Sequence, residues 1–233
     1  MQLTVATFNI NGVTKRLANL VEWLEREQPD IVCLQELKVT NRQFPAAALR
    51  ELGYEAVVHG EASWNGVAIL GKGHEPIATR RALPGREDDR QARYLEAAVQ
   101  GVIVGGLYLP NGNPLRSPKF AYKLEWFESL NAHAQALLDS GHPVVLAGDY
   151  NVVPTDADIY DPKSWKRNAL LQPEPRAAYA RLLAQGWTDA LRAIHPDDRI
   201  YTFWDYFREH WKRNAGLRLD HLLIAPTLAH ALV

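Results

Sequence analysis

The chain cannot close a disulfide on itself, because Cys33 is its only cysteine. A protein built without disulfides suits a reducing compartment. No apolar run approaches the roughly 20 residues that a membrane helix requires. The opening Met1-Gln2-Leu3-Thr4 lacks the charged and apolar regions of a secretory leader, so a soluble, cytoplasmic protein is expected. An excess of charge of either sign is also missing. Lys plus Arg is 26 and Asp plus Glu is 27, a net charge of -1. That balance does not advertise a nucleic-acid binder, but a basic face can be offset by an acidic site elsewhere. There is no internal repeat, low-complexity segment or linker. The 233 residues, 47% hydrophobic and 23% charged, therefore read as one domain over 1–233 with a sizeable core.

Periodicity orders the elements. Leu3 to Asn9 alternates as a strand and ends in the turn Asn9-Ile10-Asn11-Gly12. Leu17, Leu20, Val21 and Leu24 form a helical stripe, with Thr14 as its expected cap and Pro29-Asp30 as its stop. Ile31 to Leu34 is a buried strand that delivers Gln35-Glu36. Strand signals follow at Tyr54–His59, Gly66–Leu70, Tyr94–Val99 and Val102–Tyr108, with an exposed charged loop over Arg80–Arg93. Ser117-Pro118 opens the longest helix. Val144 to Leu146 runs into Gly148-Asp149-Tyr150-Asn151. Pro154 to Pro175 reads as a long loop with short helical pieces. Tyr201–Trp204 and Arg218–Ile224 read as late strands. Strands outnumber helices and polar turns follow their ends. The pattern predicts an α/β fold of two packed sheets with helices outside, and a site made by loops along one rim.

The strand ends carry oxygen donors: Asn9 and Asn11, Gln35-Glu36, Asp149 and Asn151, and Asp220. Carboxylate and amide oxygens suit a hard cation such as Mg²⁺. Zinc would call for closely spaced His or Cys, and the 8 histidines are scattered. A lone Asp or Asn at a strand end is usually a turn former. By themselves these residues license a metal-dependent hydrolase as one reading among others.

Larger blocks carry a resemblance. Phe8-Asn9-Ile10-Asn11-Gly12, Leu34-Gln35-Glu36, Tyr108-Leu109-Pro110-Asn111-Gly112, Gly148-Asp149-Tyr150-Asn151 and Gly216-Leu217-Arg218-Leu219-Asp220 follow the order found in exonuclease III and the related apurinic/apyrimidinic (AP) endonucleases. Asn65-Gly66-Val67-Ala68 and Tyr201-Thr202-Phe203-Trp204-Asp205-Tyr206 resemble further blocks of that family. The resemblance spans nearly the whole chain. It implies a four-layer α/β sandwich of two mixed sheets flanked by helices, and phosphodiester cleavage in double-stranded DNA. The activities implied are 3′-5′ exonuclease, abasic-site endonuclease and 3′-end processing, in base-excision repair, by a bacterial-type monomer on nucleoid DNA.

The resemblance also implies roles. Glu36 is the expected principal magnesium ligand with Asn11 nearby, Asn9, Asp149 and Asn151 completing the metal site; manganese is the alternative ion. Asp149 is the expected base for the attacking water. Asn151 and Tyr108 are expected at the scissile phosphate, and Asp220 orients a catalytic histidine. Asn111, Arg116, Lys119, Lys166 and Arg218 are expected to touch DNA phosphates. Asn168, Leu170, Phe203 and Leu217 are expected to line the pocket for an abasic sugar.

Two departures stand out. Family members continue past the Asp220 strand into one bearing a Ser-Asp-His motif, which has no counterpart up to Val233, so a C-terminally incomplete domain with an open sheet edge is expected. His221 follows Asp220 directly and so faces the other side of a strand, which makes it a packing or surface residue and not a substitute. Leu170 stands where relatives often carry a small residue. Either it narrows the pocket and shifts the enzyme toward 3′ ends, or it packs away from it. A phosphoinositide-type or sphingolipid phosphodiesterase on the same fold, and a weakened DNA-end-binding form, are the alternative readings. Trp204-Asp205-Tyr206 and the match from Asn111 through Trp126 favour the DNA branch.

Overall fold

β1 (Val5–Asn9) and β2 (Ile31–Gln35) lie parallel, with Val5 opposite Ile31 and Asn9 opposite Gln35. A parallel pair needs a crossover, and α1 (Leu17–Glu27) supplies it, burying Leu20 and Leu24. The helix starts at Leu17 with Arg16 at its N-cap, later than the expected Thr14, and before it the N–H groups of Gly12 and Val13 pair with the carbonyls of Glu36 and Leu37. It ends on Gln28 in the left-handed region, just before Pro29. The structure, a computed structural model, describes residues 2–233.

The chain falls into two units, Met1–Tyr108 with His142–Asp149, and Leu109–Gly141 with Tyr150–Val233. In the first, α2 (Ala46–Arg50), β3 (Tyr54–His59) and β4 (Val67–Lys72) follow, and the strands order as β1-β2-β4-β3 with β4 antiparallel to both neighbours. β5 (Ile77–Arg80), β6 (Tyr94–Val99), β7 (Val102–Tyr108) and β8 (Val144–Asp149) form the second array, antiparallel except for the β7–β8 pair. Both arrays are mixed, as expected. They meet closely: a Cβ on Gly106 would stand 3.3 Å from Ile69 and 3.6 Å from Cys33 Sγ. The interior position of Cys33 pushes its thiol up to about 12 by burial, so it packs as a small apolar group. Leu20, Leu24, Val32, Leu34, Ala68 and Leu70 belong to the core that α1 covers.

The second unit begins with α3 (Pro118–Asp139) and α4 (Pro173–Ala184), tied where Asn131 Nδ2 donates to the Ala178 carbonyl at 3.2 Å. Ser117 sits at the N-cap of α3, yet its hydroxyl donates to the Pro114 carbonyl and caps nothing. The expected loop over Pro154–Pro175 holds two single turns, Asp156–Asp158 and Ala169–Leu171, before α4 begins. β9 (Thr188–Asp189), α5 (Ala190–Ile194), β10 (Phe203–Trp204), β11 (Gly216–Leu217), β12 (Asp220–Ile224) and α6 (Pro226–Ala229) complete the unit. The open edge expected along β12 is covered at Leu223 and Ile224 by β9. Among the described residues no helix is long and apolar enough to cross a membrane.

Candidate active site

The first unit gathers Asn9, Glu36, Tyr108 and Asp149. Asn9 ends β1, Glu36 follows β2, Tyr108 ends β7 and Asp149 ends β8, so parallel pairing brings all of them to one rim. Gly148 permits the β7–β8 approach: a Cβ there would fall 1.9 Å from the Leu107 carbonyl oxygen. Asn9 Nδ2 donates to Glu36 Oε1 at 2.9 Å and to Asp149 Oδ2 at 3.0 Å. Its Oδ1 accepts the Asn11 backbone N–H at 3.1 Å. Asn9 therefore turns nitrogen, not oxygen, toward the carboxylates, and its part there is to orient them.

The Tyr108 hydroxyl donates to Glu36 Oε1 at 2.9 Å. Burial first, then the charges of Glu36 and Asp149, push this phenol well above its ordinary range. The Arg93 guanidinium lies 4.7 Å over the Tyr108 ring and donates to the Tyr108 carbonyl at 3.1 Å. Asn11 and Glu36 both take left-handed backbone, with φ of 47° and 53°. Ordinary residues occupy that region rarely, and such residues concentrate at functional sites.

The donor set tests the expected metal. Lys38, two residues beyond Glu36, places Nζ 2.9 Å from Glu36 Oε2 and 2.5 Å from Asn11 Oδ1. These are the two oxygens expected to hold magnesium, and one cation already satisfies both. The site is all oxygen, with carboxylates and an amide, which suits a hard ion. Among the described residues no group of three or more His, Cys, Asp or Glu is placed to hold a metal, so a dedicated protein cage is lacking and an ion here would keep several waters.

The second unit holds the amides. Asn111 Nδ2 donates to Asn151 Oδ1 at 3.0 Å, and Asn151 Nδ2 donates to the Leu109 carbonyl at 2.9 Å. Asn151, two residues along the chain from Asp149, is also left-handed, at φ 46°. Asn168 Oδ1 accepts from Leu170 N at 3.1 Å and from Asn113 Nδ2 at 2.9 Å. Leu170 and Leu217 are buried together with Val153, Ile159 and Leu219, and Phe203 packs against them. Three of the expected pocket residues, Leu170, Leu217 and Phe203, thus share one apolar cluster, and Asn168 stands outside it in a hydrogen-bonded turn. Arg116, Lys119 and Lys166 are exposed, as DNA contacts require. Asp220 opens β12, its backbone N–H bound to Thr202 Oγ1 at 3.0 Å.

Arg218 is a correction. Expected to face DNA, it is 1% exposed, with Nε 2.7 Å from Asp158 Oδ1 and Nη1 2.7 Å from Asp189 Oδ2. Burial alone would raise the Asp158 carboxyl; hydrogen bonds and charge from Arg218, with Arg192 and Thr155, hold it down to about 2. Arg218 also meets His221 Nδ1 at 3.0 Å, and His221 Nε2 lies 3.2 Å from the Val152 carbonyl. Since the arginine can only donate, His221 accepts at Nδ1 and donates from Nε2. Burial, then the charge of Arg218, lowers His221 to about 4. Of the two places its strand position left open, packing or surface, the structure gives the buried one.

Lys38, Lys123, Asp158 and Asp189 had no place among the expected site residues. Lys123 carried a readable signal, because it shares a helical stripe with Phe120, Phe127 and Leu130. A charged residue among those apolar positions has to point inward.

Over residues 6–231 the chain matches the Endonuclease/Exonuclease/phosphatase family. It is 34% identical to exodeoxyribonuclease III of Haemophilus influenzae, over 97% of this chain and 89% of that one. An AP endonuclease structure from Archaeoglobus fulgidus superposes with a TM-score of 0.93 at 38% identity, covering 98% of this chain and 89% of that one. The 3′ phosphatase NExo from Neisseria, solved with a product DNA hairpin, matches with the same TM-score of 0.93, 38% identity and coverage of 98% and 89%.

Proposed function

The chain belongs to the endonuclease/exonuclease/phosphatase family, and we propose that within it this protein is a magnesium-dependent DNA repair nuclease of the exonuclease III and AP endonuclease type. One observation carries the reading: Asn9 Nδ2 joins Glu36 and Asp149 at 2.9 and 3.0 Å, with the Tyr108 hydroxyl on Glu36. Phosphoryl transfer asks for alignment and charge neutralisation more than for covalent help. This cluster offers a base, a neutral phenol donor and an oxygen-only cation seat.

Glu36 and Asn11 would hold the magnesium ion, which when bound would supply Lewis acidity and neutralise phosphate charge. Asp149, its carboxylate oriented by Asn9, takes the proton of the attacking water. Tyr108, kept protonated by its surroundings, donates to a phosphate oxygen. Asn111 and Asn151 hold the phosphate, while Arg116, Lys119 and Lys166 bind the flanking backbone without reading sequence. The substrate is double-stranded DNA, and 3′ ends are favoured over abasic sites. That preference rests on Leu170, a bulky residue where the family often carries a small one, buried here in an apolar cluster with Leu217. The buried, unbridged Cys33 suits the cytoplasm, and a monomer suffices for these roles.

The test is turnover with Mg²⁺ or Mn²⁺ on duplexes carrying a recessed 3′ end, a 3′-phosphate or an abasic site, beside an inositol phosphate. Cleavage at the 3′ substrates, lost in Asp149→Asn, is the expected result. Hydrolysis of the inositol phosphate alone, or DNA binding without turnover, would overturn the reading.

A further inference from the structure

Lysine is among the residues least often buried completely, yet Lys123 of α3 is 0% exposed. Its neighbours on the stripe are apolar, and methionine would fill the same space without desolvating a charge. The ammonium has three N–H groups. Its Nζ lies 3.0 Å from the Asn111 carbonyl oxygen, 2.6 Å from that of Asn151 and 3.4 Å from that of Ala169. One cation therefore ties together the backbones of three separate segments. Two of them carry the asparagines whose side chains meet at 3.0 Å, and the third lies between Asn168 and Leu170.

The loop makes room for this lysine. Gly112 has φ +87°, and a Cβ there would come within 2.6 Å of Lys123 Cδ and 3.3 Å of Ala169 Cβ. Glycine next to Asn111 both allows the left-handed turn and clears the path of the lysine stem. Asn151 itself is held left-handed, so its side-chain direction depends on what fixes its carbonyl.

We infer that Lys123 is a positioning residue: from the buried face of α3 it fixes Asn111 and Asn151, and with them the grip on the substrate phosphate. The inference rests on the proposed nuclease reading for its kinetic consequence and on geometry alone for its structural one.

The test uses Lys123→Met, with Gly112→Ala as a second variant that crowds the lysine from the loop side and keeps its charge. In both, kcat on a 3′-recessed duplex is expected to fall roughly 10- to 100-fold, the scale of a small misplacement of reacting groups. KM should move less than about threefold. In a background carrying both Asn111→Ala and Asn151→Ala, Lys123→Met should cost less than about threefold more, since both groups it positions are gone. Proton exchange at the Asn111 and Asn151 side-chain amides, followed by NMR, should accelerate in Lys123→Met. Unchanged exchange, or a full multiplicative loss on top of the Asn111→Ala/Asn151→Ala double variant, overturns the inference. A wild-type protein that cleaves no DNA strikes the nuclease reading instead, while the exchange measurement still decides the role of Lys123.

Discussion

Asn9 reaches Asp149 with its side-chain nitrogen, 3.0 Å from Oδ2. The same nitrogen holds Glu36, so one amide keeps two carboxylates apart and oriented. Two like charges at one rim repel, and a neutral double donor between them offsets part of that cost. Asn9→Ala should leave both carboxylates without this donor. Turnover is expected to fall roughly 10² fold, the usual effect of losing one preorganised donor. Single-turnover kinetics on a 3′-recessed duplex measure it, and a rate within twofold of wild type would remove Asn9 from the site.

Tyr108 should act as a proton donor that never titrates in the assay. Its phenol lies above the ordinary range because burial, then Glu36 and Asp149, disfavour the phenolate. A raised pKa keeps an acid protonated to higher pH, so Tyr108 contributes no alkaline limb up to about pH 10. Tyr108→Phe is expected to lower kcat by about tenfold or more by the same factor from about pH 6 to about pH 9. A loss confined to one end of that range would mean that the phenol ionises during turnover.

Leu170 is buried among Val153, Ile159, Leu217 and Leu219. Leu170→Gly opens space in that cluster and should cost about 2–5 kcal/mol of stability, as large-to-small core changes do. The informative readout is the ratio of abasic-site to 3′-phosphate turnover, which should rise if Leu170 fills the sugar's place. An unchanged ratio at normal folding would mean that Leu170 only packs.

The parts of this protein that could be read in the sequence are those where local pattern and long-range role coincide. β1 and β2 end in Asn9 and Glu36, and both the alternation and the donors at the strand ends were visible. So were α1 and α3, through the spacing of Leu20 with Leu24 and of Phe127 with Leu130. Arg218 was misread because nothing local marks its partners: Asp158 lies 60 residues away and Asp189 lies 29. A surface arginine and a buried one look alike until the fold brings carboxylates to them. Asn9 was half legible. Its place at the site follows from the strand end, but which end of an amide faces a carboxylate depends on the Asn11 N–H that occupies its oxygen. α4 was hidden because its prolines, Pro173 and Pro175, read as loop, whereas in the first turn of a helix they cost no hydrogen bond.

The Asp158–Arg218–His221 cluster sets the response of the fold to acid. His221 is lowered to about 4 by burial and by Arg218. Its unfolded value is about 6.5, so between those values the unfolded chain binds a proton that the native state refuses. Stability must therefore drop as pH falls from about 6.5 toward 4, by about 3 kcal/mol for a shift of this size. Asp158 acts lower. Its folded value, about 2, lies below the ordinary carboxylate range, so its contribution is present above about 3.8 and is lost as pH falls toward 2. Urea unfolding at pH 7 and at pH 4.5 should show the first loss in the wild type. In His221→Asn the stability at pH 7 should be lower, because the contacts to Arg218 and the Val152 carbonyl are weakened, but the fall between the two pH values should be much smaller. Asp158→Asn should be the more damaging change at pH 7, about 3–5 kcal/mol, because it leaves the buried guanidinium short of a charge partner. An equal acid sensitivity in wild type and His221→Asn would mean that another group carries the proton.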